Sequence, residues 1–333
     1  MKKSFKSGLI VLIIVILIAA GFGIKTVYDF KNPTVTVTYA SRGNISNYDA
    51  KVAKAYKNEY IAALYIEGTI QEENQDYSQN WLISTINSLK DDEKNVGIAL
   101  YINSPGGAVY QADEAYLALM EYKTSGKPIY VYQGPMAASG GYYISCAGDK
   151  IYANRNTLTG SIGVIFGSSY DLTGLFEKAG IKSETIHSGK NKNMFNYNEP
   201  VTDEQRDIMQ SICDECYEQF VSIVAKRRLM NYNDAELLAD GRIYTAKQAL
   251  ENGLIDKIDS WDGMIRDLSE NELSKPGIKL ISFKKERKLK LIDYMTGAAK
   301  KFSTAKAAAN LGLPESIIEE INQKNYLPMY LYK

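Results

Sequence analysis

Apolar positions change their spacing several times along the chain, and each change predicts an element. Residues 8–24 (GLIVLIIVILIAAGFGI) are an unbroken apolar run of 17 residues, preceded by Lys2, Lys3 and Lys6. As a helix the run would span about 25 Å, near the lower limit for crossing hydrocarbon. Lysines on its N-terminal side predict a single-pass anchor in the cell membrane, with a cytoplasmic N-terminus and an extracytoplasmic body. Ile18-Ala19-Ala20 loosely fits a signal-peptide cleavage site, but the apolar run continues to Ile24, which favours an uncleaved anchor. Thr26 to Lys57 is polar and has no sustained period, as a tether would be.

Beyond the tether, short apolar runs alternate with helical periods. Tyr60–Ile66, Val96–Ile102, Pro128–Tyr132, Lys150–Ala153 and Ser183–Ile186 read as strands. Helical stretches are expected near Asn80–Leu89 and Gln111–Tyr122, and from about Ala137. Thr202 and Gln205 form a capping box ahead of a long helix with Met209, Ile212, Cys216, Phe220, Ile223 and Val224 on its apolar stripe. Such alternation predicts an α/β architecture. The expected divisions are an anchor over 1–25, a tether over 26–57, a catalytic domain over 58–283 and a C-terminal segment over 284–333.

Composition narrows the chemistry. Lys+Arg and Asp+Glu are both 39 in 333 residues, so there is no basic surplus for a nucleic-acid partner. Three cysteines make no disulfide scaffold, and Cys213-x-x-Cys216 lies within the long helical pattern, where two ligands build no metal site. The single histidine, His187, rules out a His-rich metal centre and leaves one residue for any Ser-His machinery. No carboxylate is singled out as its partner.

Glycine clusters carry the candidate chemistry. Asn103-Ser-Pro-Gly-Gly107 follows one strand, and Met136-Ala-Ala-Ser-Gly-Gly-Tyr-Tyr143 follows another. Ser139, flanked by small residues at a strand-to-helix junction, is an accessible hydroxyl, and two such junctions can supply a nucleophile and an oxyanion hole. Tight turns or a phosphate-type loop would use the same residues. Thr159-Gly-Ser-Ile-Gly-Val164 and Ser188-Gly-Lys-Asn-Lys192 are two further clusters. With no usable histidine, a lysine in a desolvated site can act as the base.

These four motifs, in this order, resemble the signal peptide peptidase A family, membrane-anchored Ser-Lys peptidases. The resemblance extends through Asp240-Gly-Arg-Ile-Tyr244 and Ala249-x-x-Asn-Gly-Leu-Ile-Asp256. It implies an α/β Clp-protease/crotonase-like fold, a superhelix of repeated ββα units, after an N-terminal transmembrane helix. Ser139 then matches the nucleophile, Lys192 the general base (with Lys190 its competitor) and Ser161 the hydroxyl that orients the lysine. The amides of Gly106 or Gly107, together with Gly140, match the oxyanion hole. The resemblance further implies cleaved signal peptides and other membrane-near hydrophobic peptides as substrates, no cofactor or metal, contact with membrane lipid, and a homo-oligomer, an octameric ring whose neighbours share active sites. A crotonase-like acyl-CoA enzyme and a non-catalytic membrane scaffold are the competing expectations.

Residues 284–306 carry eight Lys/Arg and two acids, with Leu291, Met295, Ala298, Phe302 and Ala305 at helical spacing. A basic amphipathic helix against a membrane or a neighbouring subunit fits this pattern. The chain then ends in Asn325-Tyr-Leu-Pro-Met-Tyr-Leu-Tyr-Lys333. So apolar an end needs somewhere to be buried, either on the body or in the substrate groove of its own or a neighbouring subunit.

Overall fold

The computed structural model describes residues 46–47, 56–167, 170–285 and 329–331, all within one compact unit, Arg42–Lys333. The expected anchor, most of the tether and the basic segment lie outside the described residues. Among the described residues no helix is long and apolar enough to cross a membrane.

Parallel strands form the centre. The sheet includes β1 (Ser46–Asn47), β2 (Tyr60–Glu67), β3 (Asn95–Ser104), β5 (Ile129–Ala138), β6 (Lys150–Ala153), β9 (Lys257–Ile258) and β10 (Lys279–Phe283), in the order β1-β10-β2-β3-β5-β6-β9. Every pairing along this path is parallel. The first five residues of β2, YIAAL, are all buried, as expected for a strand covered on both faces. On one face Leu64, Ile66, Leu100, Ile102 and Val131 pack with α1 (Gln79–Asp91), α2 (Val109–Lys123), α3 (Gly140–Ser145) and α5 (Asp203–Arg227). On the other, Ile61, Ala99, Tyr130, Tyr132 and Tyr152 meet Met264 of α8 (Trp261–Arg266) and Leu268 of a π-helical turn, Asp267–Glu272. The result is a three-layer α/β molecule.

The long helix starts where the capping box places it. Thr202 Oγ1 accepts from the Gln205 N–H, and the Gln205 side chain accepts from the Thr202 N–H. Ser183–Ile186 is no strand. It is coil and wholly exposed. The expected helix from Ala137 begins later, because β5 runs on to Ala138.

Two short pieces escaped the hydrophobic pattern. β4 (Gly106–Ala108) extends the end of β3, and β7 (Leu158–Gly160) adds to the end of β5 and pairs antiparallel with β8 (Ile243–Thr245). Because β3 and β5 are parallel neighbours, their C-terminal ends open at the same edge of the sheet, where such folds place their chemistry.

Candidate active site

Ser139 lies at the turn between β5 and α3. Its backbone is left-handed, with φ 56° and ψ −117°, an uncommon conformation for a side chain with a Cβ. Three bonds around the turn hold it there. The Ser139 N–H donates to Gly160 C=O at 2.7 Å, and Ser139 C=O accepts the Tyr143 N–H at 2.9 Å. Beside it the Ser161 N–H donates to Arg242 C=O at 2.8 Å, with Ser161 itself at φ 50°. Strain of this kind, fixed by surrounding bonds, is typical of exposed nucleophiles on strand-to-helix turns. The hydroxyl expected to be accessible is instead buried, Ser139 being only 1% exposed under the turn, and among the described residues its Oγ has no hydrogen-bond partner.

The glycine strand β4 faces this turn. On its inner edge Gly106 C=O accepts the Ile70 N–H and Ile70 C=O accepts the Ala108 N–H, both at 2.8 Å. Strand alternation then turns Gly107 to the outer edge. Gly107 tolerates no side chain, since a Cβ there would lie 1.8 Å from Ile70 O. A Cβ on Gly140 would lie 3.3 Å from the Gly107 nitrogen and 3.4 Å from Gly106 Cα. Gly106, Gly107, Gly140 and Ser139 therefore converge. The Gly106 N–H is already taken by Ser104 Oγ at 3.1 Å.

On that outer edge lies β11 (Met329–Leu331), antiparallel to β4, with Tyr330 opposite Gly107 and Leu331 opposite Gly106. Three residues of the C-terminal tail, Met329–Leu331, thus lie along the glycine strand.

The lysine loop stands apart. Lys192 is exposed, and among the described residues no hydrogen bond links it to Ser139 Oγ. Lys190 is ion-paired with Glu204, in the first turn of α5, and Asn191 Nδ2 donates to the same carboxylate at 3.2 Å. The Lys190 bond, with help from Asn191, holds the Glu204 carboxyl below its usual range. Phe195 stacks on Phe166 with ring centroids 5.3 Å apart, tying the loop's far end to the chain after Ser161. His187 is exposed and its Nδ1 lies 3.1 Å from Gly189 O, with no carboxylate bonded to the ring among the described residues. Burial raises the thiols of Cys213 and Cys216 above their usual range. No group of residues among those described could hold a metal ion.

Sequence reasoning missed Ser104, Ile70 and Arg242, which act here through a hydroxyl acceptor and two backbone carbonyls. The only available signal was position. Ser104 stands two residues before the first glycine, and Arg242 lies in a motif already singled out.

A strained hydroxyl beside convergent glycine amides suits addition to a carbonyl. Comparison with known proteins gives the same chemistry. Residues 121–274 match peptidase family S49. An Enterococcus faecium protein whose name, signal peptide peptidase SppA, is provisional shares 32% identity over 98% of this chain and 95% of its own length. Protease 4 of Haemophilus influenzae is 27% identical over 81% of this chain and 45% of its own. The chloroplastic serine protease SPPA of Arabidopsis thaliana is 34% identical over 53% of this chain and 26% of its own. The chain belongs to peptidase family S49, the signal peptide peptidase family, and is a serine peptidase.

Proposed function

We propose that the protein is a membrane-tethered, extracytoplasmic endopeptidase that degrades cleaved signal peptides and other hydrophobic segments near the membrane. The observation that carries this reading is the strand pairing at β4. An extended segment lies antiparallel on the edge that Gly107 faces, which is how a peptide would bring a carbonyl to Ser139. An acyl-CoA enzyme or a scaffold has no need of such an edge.

In this reading Ser139 Oγ attacks the scissile carbonyl and its proton passes to the Lys192 amine, held in place by Ser161. The amides of Gly107 and Gly140 bind the oxyanion. Gly107 is preferred over Gly106 because the Gly106 N–H is already bonded. The C–N bond breaks, the lysine returns its proton to the leaving amine, and water releases the acyl group by the reverse path. No cofactor takes part. Lys192, exposed on its loop, would serve Ser139 of an adjacent copy in a ring, an octamer in this reading. The fold would be the Clp-protease/crotonase superhelix, in which β3, β4 and α2 make one ββα unit. Residues 1–25 would be the anchor and 26–57 the tether.

Mixing two inactive variants tests the shared site. Ser139→Ala and Lys192→Ala should each abolish cleavage, and co-assembly of the two should restore measurable activity through sites that combine an intact serine with a neighbour's intact lysine. A dead mixture would place both groups in one chain. Near-normal cleavage by Lys192→Ala, with loss in Lys190→Ala, would transfer the base to Lys190. Deleting residues 1–25 should leave a soluble body that still cuts short peptides, and a body that cannot fold would make the apolar run part of the core.

A further inference from the structure

Ser104, the last residue of β3, is completely buried. Its Oγ accepts the Gly106 N–H at 3.1 Å, across Pro105. Gly106 is left-handed, at φ 102°, and its C=O is bonded to the Ile70 N–H. Both polar groups of the Gly106 backbone are thereby turned inward, together with the Ala108 N–H that donates to Ile70. Gly107 is the residue left facing the outer edge, where Tyr330 of β11 stands opposite it. Ser104 also reaches the opposite wall. A Cβ built on Gly141 would lie 3.0 Å from Ser104 O and 3.4 Å from Ser104 Cβ, so Ser104 is wedged against the first turn of α3. It touches both halves of the site, the glycine strand through a hydrogen bond and the turn after Ser139 through packing.

We infer that Ser104 is a positioning residue for carbonyl activation. By engaging the Gly106 N–H it selects Gly107 as the donor on that side and sets the gap between the Gly107 and Gly140 amides. The inference rests on the reading that Ser139 is the nucleophile and that these two amides bind the oxyanion. Glycine has the softest backbone of any residue. Without the Ser104 bond the peptide unit before Gly106 can rotate, and its N–H can compete for the outer edge while the Gly107 N–H loses its aim. A serine two residues before a glycine also forms an ordinary turn. That role alone would alter stability and leave the chemical step untouched.

The two roles separate in one experiment on the full-length, detergent-solubilised enzyme. Ser104→Ala and Ser104→Thr are compared with the parent for kcat, KM and Tm. They are compared also for binding of one substrate-like peptide prepared as a C-terminal aldehyde and as a carboxamide. The aldehyde adds the Ser139 O–H across its carbonyl: a C–O bond forms, the C=O π bond opens, and the new oxyanion or hydroxyl sits at the two amides. The carboxamide binds without reacting. Ser104→Ala should lower kcat and aldehyde affinity together, by about 10- to 100-fold, with KM and carboxamide affinity unchanged. Ser104→Thr, which keeps a hydroxyl, should recover both. Unchanged kcat and aldehyde affinity in Ser104→Ala would overturn the inference, as would a parallel weakening of both ligands along with a fall in Tm. If Ser104→Ala does not fold, Ser104→Cys, similar in size but a weak acceptor, carries the same readouts. Ser139→Ala separates the layers: cleavage surviving in that variant would remove the reading beneath, whatever Ser104 does.

Discussion

Gly107 and Gly126 show how differently two glycines can be required. A Cβ on Gly126 meets nothing within 4 Å, although its φ is +78°, whereas one on Gly107 runs into a backbone oxygen at 1.8 Å. Gly126→Ala should therefore cost only the left-handed strain of an alanine, about 1 kcal/mol, and leave kcat/KM as it was. Gly107→Ala must push Ile70 and β4 apart, and should abolish cleavage and lower Tm further. Peptide turnover and thermal unfolding of the pair check this, and an active Gly107→Ala would mean that β4 has another seat. At the sequence level Gly106 and Gly107 stand as equal candidates because the direction of an amide is set by its partners. Here those partners are the Ile70 peptide and the Ser104 hydroxyl, and neither is visible in a Pro-Gly-Gly motif. Ser139 was legible for the opposite reason. Small neighbours between a strand and a helix are a local pattern, and the turn it forms is local too.

Among the elements, the π-helical turn carries a half-buried polar cluster that can be titrated. Asp267 accepts from Lys150 Nζ at 2.8 Å, Tyr152 Oη at 2.6 Å and Asn271 Nδ2 at 2.8 Å. Burial alone would raise its carboxyl, but these bonds outweigh burial and hold it down to about 2. A depressed carboxylate stabilises the fold above its unfolded value, near 3.9, and that contribution fades as pH falls toward 2. Asp267→Asn should cost about 1–2 kcal/mol at neutral pH, and the gap to the parent should narrow as acid protonates the parent's carboxyl. Chemical denaturation at several pH values between 7 and 2 measures both, and a gap that stays constant in acid would contradict this account. The buried strands and the capped helix could be read from the sequence, since two-sided burial and a capping box both leave a pattern in it. Ser183–Ile186 misled because a run of four with Ile186 as its one apolar residue has no apolar face to bury, and Ile186 is exposed. β4 was invisible because three residues with two glycines have no propensity, and bonds to a distant peptide create the strand.

For the whole molecule, the central fact is that the tail's last described residues occupy the edge proposed for substrate. The tail was expected either on the body or in the groove, and its pairing with Gly106–Ala108 is what the groove alternative requires. Truncation after Asn325 should then raise peptidase activity. Intact-mass measurement should find the parent shortened at its C-terminus, with Tyr330 opposite Gly107 as the natural new end, while Ser139→Ala stays full length. Unchanged activity together with an intact parental C-terminus would make the pairing purely structural.

The edge of β4 also limits the shape of what can be cut. It offers backbone groups, and a partner must answer with free backbone groups of its own. In a helix those groups are paired four residues apart within the segment, so a helix laid on β4 has nothing to exchange. A hydrophobic segment that crosses a bilayer keeps its helix because lipid gives unpaired amides no alternative partner. On the proposed reading, such a segment has to be drawn out and unwound over at least the three residues that β4 pairs before Ser139 can reach it. Among equally apolar segments, those that unwind easily, through glycine or β-branched residues near the cut, should be consumed first.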